Sequence, residues 1–474
     1  MAKIFKNFMY NSTYQIIAII IPLITSPYLA RVLGPENLGI EGYVVSVSQI
    51  FYTIGMIGLT NYATREIAYV REDEYQRSKV FWEMIAARVI VFAATLAVYL
   101  IIINNTPYRI YFMIQIVWLF AMFFDASWFF AGMEIFGVTV ARNLVVRLLT
   151  IISIFAFVKK ESDLFLYIAL CAVSQIVGTL SIFPQLRKHI VGVGIKDLKV
   201  KQHFLPSIKV FLPQVASVLY LQVDKVMIEA LVDDVRQVAY YTKAEQLIKA
   251  PLALITAVST VMMPRIANEF ARDNEKRIAD YLSGSLTFLM FMAWPVAFGM
   301  AGIAGTMIPW FLGDGYLPTA MAMMILAPII IAIAASSLSA NQYLLATNQT
   351  RIMTISYTAS AILNLIVNAC LIPKYGFVGA AIGTIAAEYT VFVSQYYVMD
   401  KQIQIIPAFL KCLKYALYSA IMFGIIMIIG NKMQPTVITT CIQIVVGASV
   451  YLLLLFMTKD TFFFYAIRKV MNRS

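Results

Sequence analysis

Charge is the first thing this sequence is short of. Of 474 residues only 13% are Asp, Glu, Lys or Arg, about half the share of a soluble domain. Hydrophobic residues make up 61% and the mean hydropathy is +0.79, which excludes an ordinary solvated surface and implies a chain built for the bilayer. Cysteine is scarce as well: Cys171, Cys370, Cys412 and Cys441 fall in apolar segments without C-x-x-C spacing, and read as small buried hydrophobes. The two histidines, His189 and His203, share one basic loop with no Cys or carboxylate cluster beside them, so neither a metal site nor a cofactor is expected. There is no G-x-x-x-x-G-K-[ST] phosphate loop, no H-E-x-x-H and no nucleophile elbow. These absences leave an enzyme little to work with.

What is present is a succession of apolar windows long enough to span hydrocarbon. They predict about fourteen helices, at 10–33, 39–62, 81–103, 110–131, 137–158, 164–185, 207–231, 238–262, 282–306, 319–345, 352–373, 377–399, 412–430 and 436–457. The fold class expected is an all-α polytopic membrane protein. The N-terminus starts basic and turns apolar like a signal peptide. Its apolar part is too long and lacks a clean cleavage site, so it reads as a retained first span. With that end inside, about 22 basic residues fall in cytoplasmic segments and about 6 opposite, a positive-inside bias that places both termini in the cytoplasm. The net charge of +12 then belongs to cytoplasmic loops rather than to a nucleic-acid surface. No external loop exceeds about 13 residues, which is short for chemistry performed outside the membrane.

A faint internal repeat runs through the chain. TREIAYVREDEYQRSK (64–79) follows the second span and PRIANEFARDNEKRI (264–278) follows the eighth, while Pro22 and Pro213 sit alike in the first and seventh. Six-span repeats are common in transporters, with the binding site between the halves.

The stretch LYLQVDKVMIEALV (219–232) plants Asp224, Lys225 and Glu229 in an otherwise apolar helix. Arg88, Asp125, Arg142, Arg147, Glu245, Lys249 and Glu388 fall inside other spans, and Arg31 near the end of the first. A charge at a helix centre costs about 2.5–3.5 kcal/mol, so such groups must face water, ligand or one another. Lys225 and Glu229 are four apart and share a face, as do Glu245 and Lys249; Asp224 points about 100° away. Arg142 and Arg147 have no acid on their own span and need partners from other helices. Structural ion pairs and snorkelling, the latter for Arg31 and Arg88, are the plain alternatives to a functional role.

Seven stretches then carry a likeness: PLITSPYLARVLGPENLGIEGY (22–43), NYATREIAYVRED (61–73), WFFAGMEIFG (128–137), FVKKESDLFLY (157–167), LQVDKVMIEAL (221–231), YYTKAEQLIKAPLALITAVSTVMMPRIA (240–267) and ATNQTRIMTISYTASAILNLIVNACLIPKYGFVGAAIGTIAAE (346–388). In order and spacing the chain resembles the Wzx-type polysaccharide flippases of the multidrug/oligosaccharidyl-lipid/polysaccharide (MOP) exporter superfamily. The resemblance implies two six-helix lobes in a V around a charged lumen, plus two extra helices. The corresponding divisions are an N-lobe at 1–190, a basic interlobe loop at 191–206, a C-lobe at 207–400, and helices 13–14 with a basic tail at 401–474. It implies a cargo, an undecaprenyl-pyrophosphate-linked oligosaccharide moved from inner to outer leaflet of a bacterial plasma membrane for capsule, exopolysaccharide or O-antigen. Partners would be that lipid, the bilayer and the pathway's polymerase and chain-length machinery. A pyrophosphate diester needs cations in place of water. Arg31, Arg88, Arg142, Arg147, Lys225 and Lys249 are the candidates to bind it, and Asp125, Asp224, Glu229, Glu245 and Glu388 to tune charge or take up protons. Competing readings are a MATE-like drug or metabolite antiporter, a polysaccharide polymerase or ligase, and a non-transporting scaffold.

Overall fold

The computed structural model describes residues 2–56 and 59–471, with side chains throughout except at 2–20, 136, 209–217, 219, 220, 260, 470 and 471. Among the described residues every regular element is helical. The chain divides into two compact units, 1–226 and 227–474. The first holds α1 (Ala2–Met56), α2 (Leu59–Val70), α3 (Glu74–Ile103), α4 (Arg109–Phe124), α5 (Ser127–Gly132), α6 (Phe136–Phe157), α7 (Leu164–Leu180), α8 (Phe183–Leu186) and most of α9 (Phe204–Leu231). The second holds α10 (Arg236–Phe270), α11 (Glu275–Phe311), α12 (Leu317–Leu326), α13 (Ile329–Ser337), a π-helical turn at Leu338–Leu344, α14 (Thr350–Tyr375), α15 (Phe377–Ile403), α16 (Ile406–Lys411), α17 (Leu413–Lys432), α18 (Val437–Met457) and α19 (Thr461–Met471).

Eleven helices among the described residues are long and apolar enough to cross a membrane, or twelve with the bent pair α12–α13 taken as one span. The stretch 21–70 counts once there although Gly34 breaks it, and the 28-residue α9 stands outside that count. The total is compatible with fourteen. The protein is a multi-pass membrane protein.

The breaks have local causes. Gly34 adopts φ +74°, which its missing Cβ permits, and Pro35 begins the next arm where no N–H is needed. Asn37 Nδ2 donates to Leu33 O at 2.8 Å and to Glu161 O at 3.0 Å, satisfying a carbonyl at the end of the first arm. The span expected at 110–131 is two helices, because the chain turns extended at Asp125. The span expected at 319–345 is three pieces: α12 and the α13–π segment meet at 48° beside Pro328. Two helices escaped the reading, α16 and the amphipathic α19, both too short to register as spans. The two loops of the sequence repeat end alike: Asp73 caps α3 by accepting from Gln76 N, and Asn274 caps α11 by accepting from Arg277 N. Pro213, the expected counterpart of Pro22, lies outside the described side chains.

In the first unit Tyr62, Ile67, Phe81, Met84, Trp128 and Phe129 form a buried core between α2, α3 and α5. In the second, α17 and α18 pack on α11, where Tyr451 Oη donates to Phe291 O and Trp310 Nε1 to Thr440 Oγ1, both at 2.8 Å. Helices α14 and α15 pack closely along their length. Gly379 makes this possible: a Cβ there would lie 2.5 Å from the Leu371 carbonyl carbon, a backbone atom that cannot step aside. A Gly379→Val variant is therefore expected to lose about 1–3 kcal/mol by overpacking. Gly284→Ala, which meets nothing within 4 Å, should be neutral or gain up to about 1 kcal/mol. Thermal unfolding in detergent compares the two.

Candidate functional site

A group of charges within the spans of the first unit forms around the break between α4 and α5. When α4 ends, its last carbonyls have no helical partners. Arg88 of α3, with no solvent exposure, donates from Nη1 to Asp125 O at 3.0 Å and to Phe123 O at 3.5 Å. Its Nη2 reaches Thr60 Oγ1 at 3.3 Å, and its guanidinium lies 5.1 Å from the centre of the Trp128 ring. With its backbone held, Asp125 turns its carboxylate to accept from Arg142 Nη1 at 2.9 Å and from Ser127 Oγ at 2.7 Å. Arg142 also donates to Ser127 Oγ at 3.0 Å and to Asn143 Oδ1 at 2.6 and 2.9 Å. The chemical sum is two guanidiniums to one carboxylate.

Three of the expected residues thus come together: Arg88, Asp125 and Arg142. Their roles differ. Arg88 is spent on the protein's own carbonyls, while the Arg142 and Asp125 side chains keep 10% and 26% of their surface exposed. Arg147, on α6 with Arg142, is half-buried and about 140° further round the helix. Arg31 is exposed, three residues before the Gly34 break.

On α9, Asp224 and Lys225 are buried and Glu229 is half-buried. The Lys225 ammonium donates to Leu221 O and Gln222 Oε1, both at 3.4 Å. On α10 the pair four residues apart forms, Lys249 Nζ to Glu245 Oε1 at 2.6 Å, with the acid leading as the helix favours. Glu388, on α15, is 7% exposed.

One buried acid–base pair was not foreseen. Glu83 of α3 and His203 are 1% and 2% exposed and meet at 2.7 Å. Glu83 also accepts from Lys199 N at 2.7 Å and from Gln202 Nε2 at 3.3 Å, and the other histidine nitrogen meets Tyr62 Oη at 3.0 Å. Further along, Arg77 donates to His189 O at 2.8 and 3.0 Å, Ser78 Oγ accepts from Val191 N at 2.9 Å, and Trp82 Nε1 donates to Val191 O at 3.1 Å. Four residues of α3 thereby hold the segment 189–203 against its first turns. The signal was faint: Glu83 opens a predicted span where an acid reads as interfacial, and its partner lies 120 residues away. Buried polar groups on α14 were more visible. Ser356, Ser360, Asn364 and Asn368 recur every fourth residue and are all buried.

Six of the seven quoted stretches meet in pairs. Tyr28 Oη donates to Val158 O at 2.6 Å and Asn37 reaches Glu161 O, joining 22–43 to 157–167. Thr64 Oγ1 donates to Trp128 O, and Arg71 pairs with Glu134 at 2.7 Å, joining 61–73 to 128–137. Glu134 also raises the pKa of the Arg71 guanidinium by hydrogen bonding to its charged form. In the second unit Tyr241 Oη meets Thr384 Oγ1 at 2.7 Å, joining 240–267 to 346–388.

The family described as "Polysaccharide biosynthesis protein" matches residues 4–270, more than half of the chain. The chain belongs to that family. It is 23% identical over 394 residues to the "Putative O-antigen transporter" of Escherichia coli (strain K12), a match that covers 81% of this chain and 93% of that one. Its fold is that of "Lipid II flippase MurJ, inward closed conformation", with a TM-score of 0.78 at 21% identity over 96% of this chain and 99% of that one. An inward-facing multidrug resistance MATE family transporter of the MOP superfamily follows at a TM-score of 0.63 and 14% identity, over 81% and 93%. The MOP-type helical fold implied by the sequence is therefore present, in a member of a polysaccharide biosynthesis family.

The geometry separates Arg88 from the other cations. Arg88→Gln should cost about 1.5–3 kcal/mol of stability, because carbonyls at a buried helix end lose a charged donor. Arg142→Gln, at a partly exposed pair, should cost about 1 kcal/mol or less. Melting temperature and monodispersity in detergent, measured on both, distinguish the two roles.

Proposed function

We propose that this protein flips undecaprenyl-pyrophosphate-linked oligosaccharide repeat units from the inner to the outer leaflet for cell-surface polysaccharide assembly. The observation that carries the reading is the net-positive cluster at Asp125, held in the apolar interior of a polysaccharide biosynthesis protein. A cluster with two guanidiniums to one acid suits an anionic head group, and forked donors suit phosphate oxygens. Arg142 and Arg147 are the first candidates to meet the pyrophosphate, and Arg31, Lys225 and Lys249 are the further cationic candidates. Arg88 positions Asp125. Asp125, Asp224, Glu229, Glu245 and Glu388 tune those cations or exchange protons as the protein alternates its access. The lipid tails stay in the bilayer while the head group passes.

The names of the relatives support this reading, since one is a putative O-antigen transporter and another a lipid II flippase. We place the protein in a bacterial inner membrane with both termini cytoplasmic, on the positive-inside bias. Its functional lobes are 1–190 and 207–400, joined by the basic loop 191–206 and followed by 401–474. The polymerase and chain-length machinery of its pathway act on what it delivers; the protein itself performs no covalent step.

A MATE-like fold leaves export of organic cations as the second reading. The surplus of arginine over acid at the Asp125 cluster argues against it. Deleting the gene and profiling lipid-linked intermediates by length and sidedness tests both. Single repeat units held on the cytoplasmic leaflet are expected, and complementation by Arg142→Gln/Arg147→Gln should restore less than about a tenth of export. Full export by that variant, folded and at normal level, would sink the phosphate assignment. Restored resistance to organic cations with an unchanged lipid pool would favour the antiporter.

A further inference from the structure

The segment held against α3 borders a cavity of about 430 Å³ lined by Phe81, Trp82, Ile85, Phe124, Ile190 and Val191, with Arg187 at its wall. The cavity lies about two turns into α3, at the break after the last residue of α4, and just after the span that ends at Leu186. It is open, since Trp82, Phe124 and Val191 keep 37–39% of their surface exposed. The Trp82 indole binds Val191 O with its N–H and leaves its ring to the cavity, as tryptophan does where hydrocarbon meets head groups.

The exposed charges nearby are basic, and the two acids next to the lining, Glu83 and Asp125, are already engaged by His203 and Arg142. Arg187 and Lys188 follow α8 directly, and Lys79 stands one turn before Trp82 on the same face of α3. None of the three makes an ion pair among the described residues. The nearest turn's buried acid, Glu83, is occupied by His203, Gln202 and Lys199 N.

We infer that this cavity holds one acyl chain of an anionic phospholipid, whose phosphate sits on Arg187 and Lys188. The lining decides the tail. A polar solute would find almost nothing in the cavity to replace its water, whereas a hydrocarbon chain loses nothing by entering. The rim decides the head. Arg187 at the cavity wall, with exposed Lys188 next to it in the chain, favours a phosphate that carries net negative charge, at about five-fold in affinity for each charge near the surface. Phe124 and Ala126, which flank Asp125 in the chain, both line the cavity, so the site adjoins that cluster, but its occupant does not depend on what the protein transports.

The test uses the full-length protein in phosphatidylcholine vesicles doped with either phosphatidylglycerol or phosphatidylcholine brominated on its acyl chains. Bromine quenches tryptophan on contact, and the Trp82 signal is the difference between wild type and Trp82→Phe. Trp82 is expected to quench at a several-fold lower mole fraction of brominated phosphatidylglycerol than of brominated phosphatidylcholine. Arg187→Gln/Lys188→Gln should remove that preference while leaving the melting temperature and the quenching of the other tryptophans unchanged. Native mass spectrometry of delipidated protein provides a second readout that does not require the Trp82 variant. It should show one retained phosphatidylglycerol in the wild type and none in the double variant. Equal quenching by both lipids would mean ordinary bilayer contact and no site. Absence of Trp82 quenching would mean that protein rather than lipid fills the cavity. A preference that survives the double variant would overturn the phosphate assignment.

Discussion

A guanidinium with no access to water sets the terms for the first unit. Arg88 has only the protein to bond to: its Nη1 finds carbonyls that exist as free acceptors because α4 stops at Phe124, its Nη2 finds Thr60 Oγ1, and its Nε is left buried without a partner. The break and the arginine need each other. Were α4 continuous through Asp125, the carbonyls would be engaged and the charge stranded. Were Arg88 neutral and short, the helix end would be left open in an apolar core. From this mutual requirement follow the turn into α5, the burial of Trp128, Phe129 and Phe130, and the direction in which the Asp125 carboxylate points. The arginine that looks most like a ligand group by burial is the one that fixes the position of the others.

The second unit sets a neutral network beside its own ion pairs. Its buried polar groups are mostly hydroxyls and amides that bond among themselves. Ser259 meets Ser337 at 2.8 Å and accepts from Gln342 at 2.9 Å; Ser339 donates to Gln395, which donates on to Ser356. Small residues let the helices approach and the neutral bonds join them, the usual means of association where no hydrophobic force acts between helices. The network passes through the π-helical turn at Leu338–Leu344, a widened turn of the kind that accumulates at sites of movement. The first unit therefore leans on an arginine at a helix break, the second on a network of neutral bonds beside its ion pairs.

The legibility of the structure in the sequence follows the same division. Apolar windows located most helices well: 137–158 is observed as 136–157, and 436–457 as 437–457. They failed where polarity inside a window mattered, since hydropathy averaged over Asp125 hides the break it marks, and averaged over Pro328 hides the bend. Among site residues, the Glu245–Lys249 pair was readable because four residues bring two side chains to one helix face. The Arg142–Asp125 and Glu83–His203 pairs were not, because each joins separate elements and depends on packing that no local spacing encodes. The stretches that carried the family likeness are chiefly those that bond to each other, so they report the scaffold more directly than they report a ligand.

The segment 189–203 has a practical consequence. It is tied to α3 at Val191 on one side and at Lys199 and His203 on the other, while Ile195 between them is almost fully exposed and Gly192 has open space around it. A protease that cuts at Gly192–Lys196 would sever the chain yet free neither end. The two fragments would stay associated until a denaturant released them. Nicking at this point is a poor gauge of unfolding, and the same feature makes it a natural seam for expressing the protein as two complementary pieces.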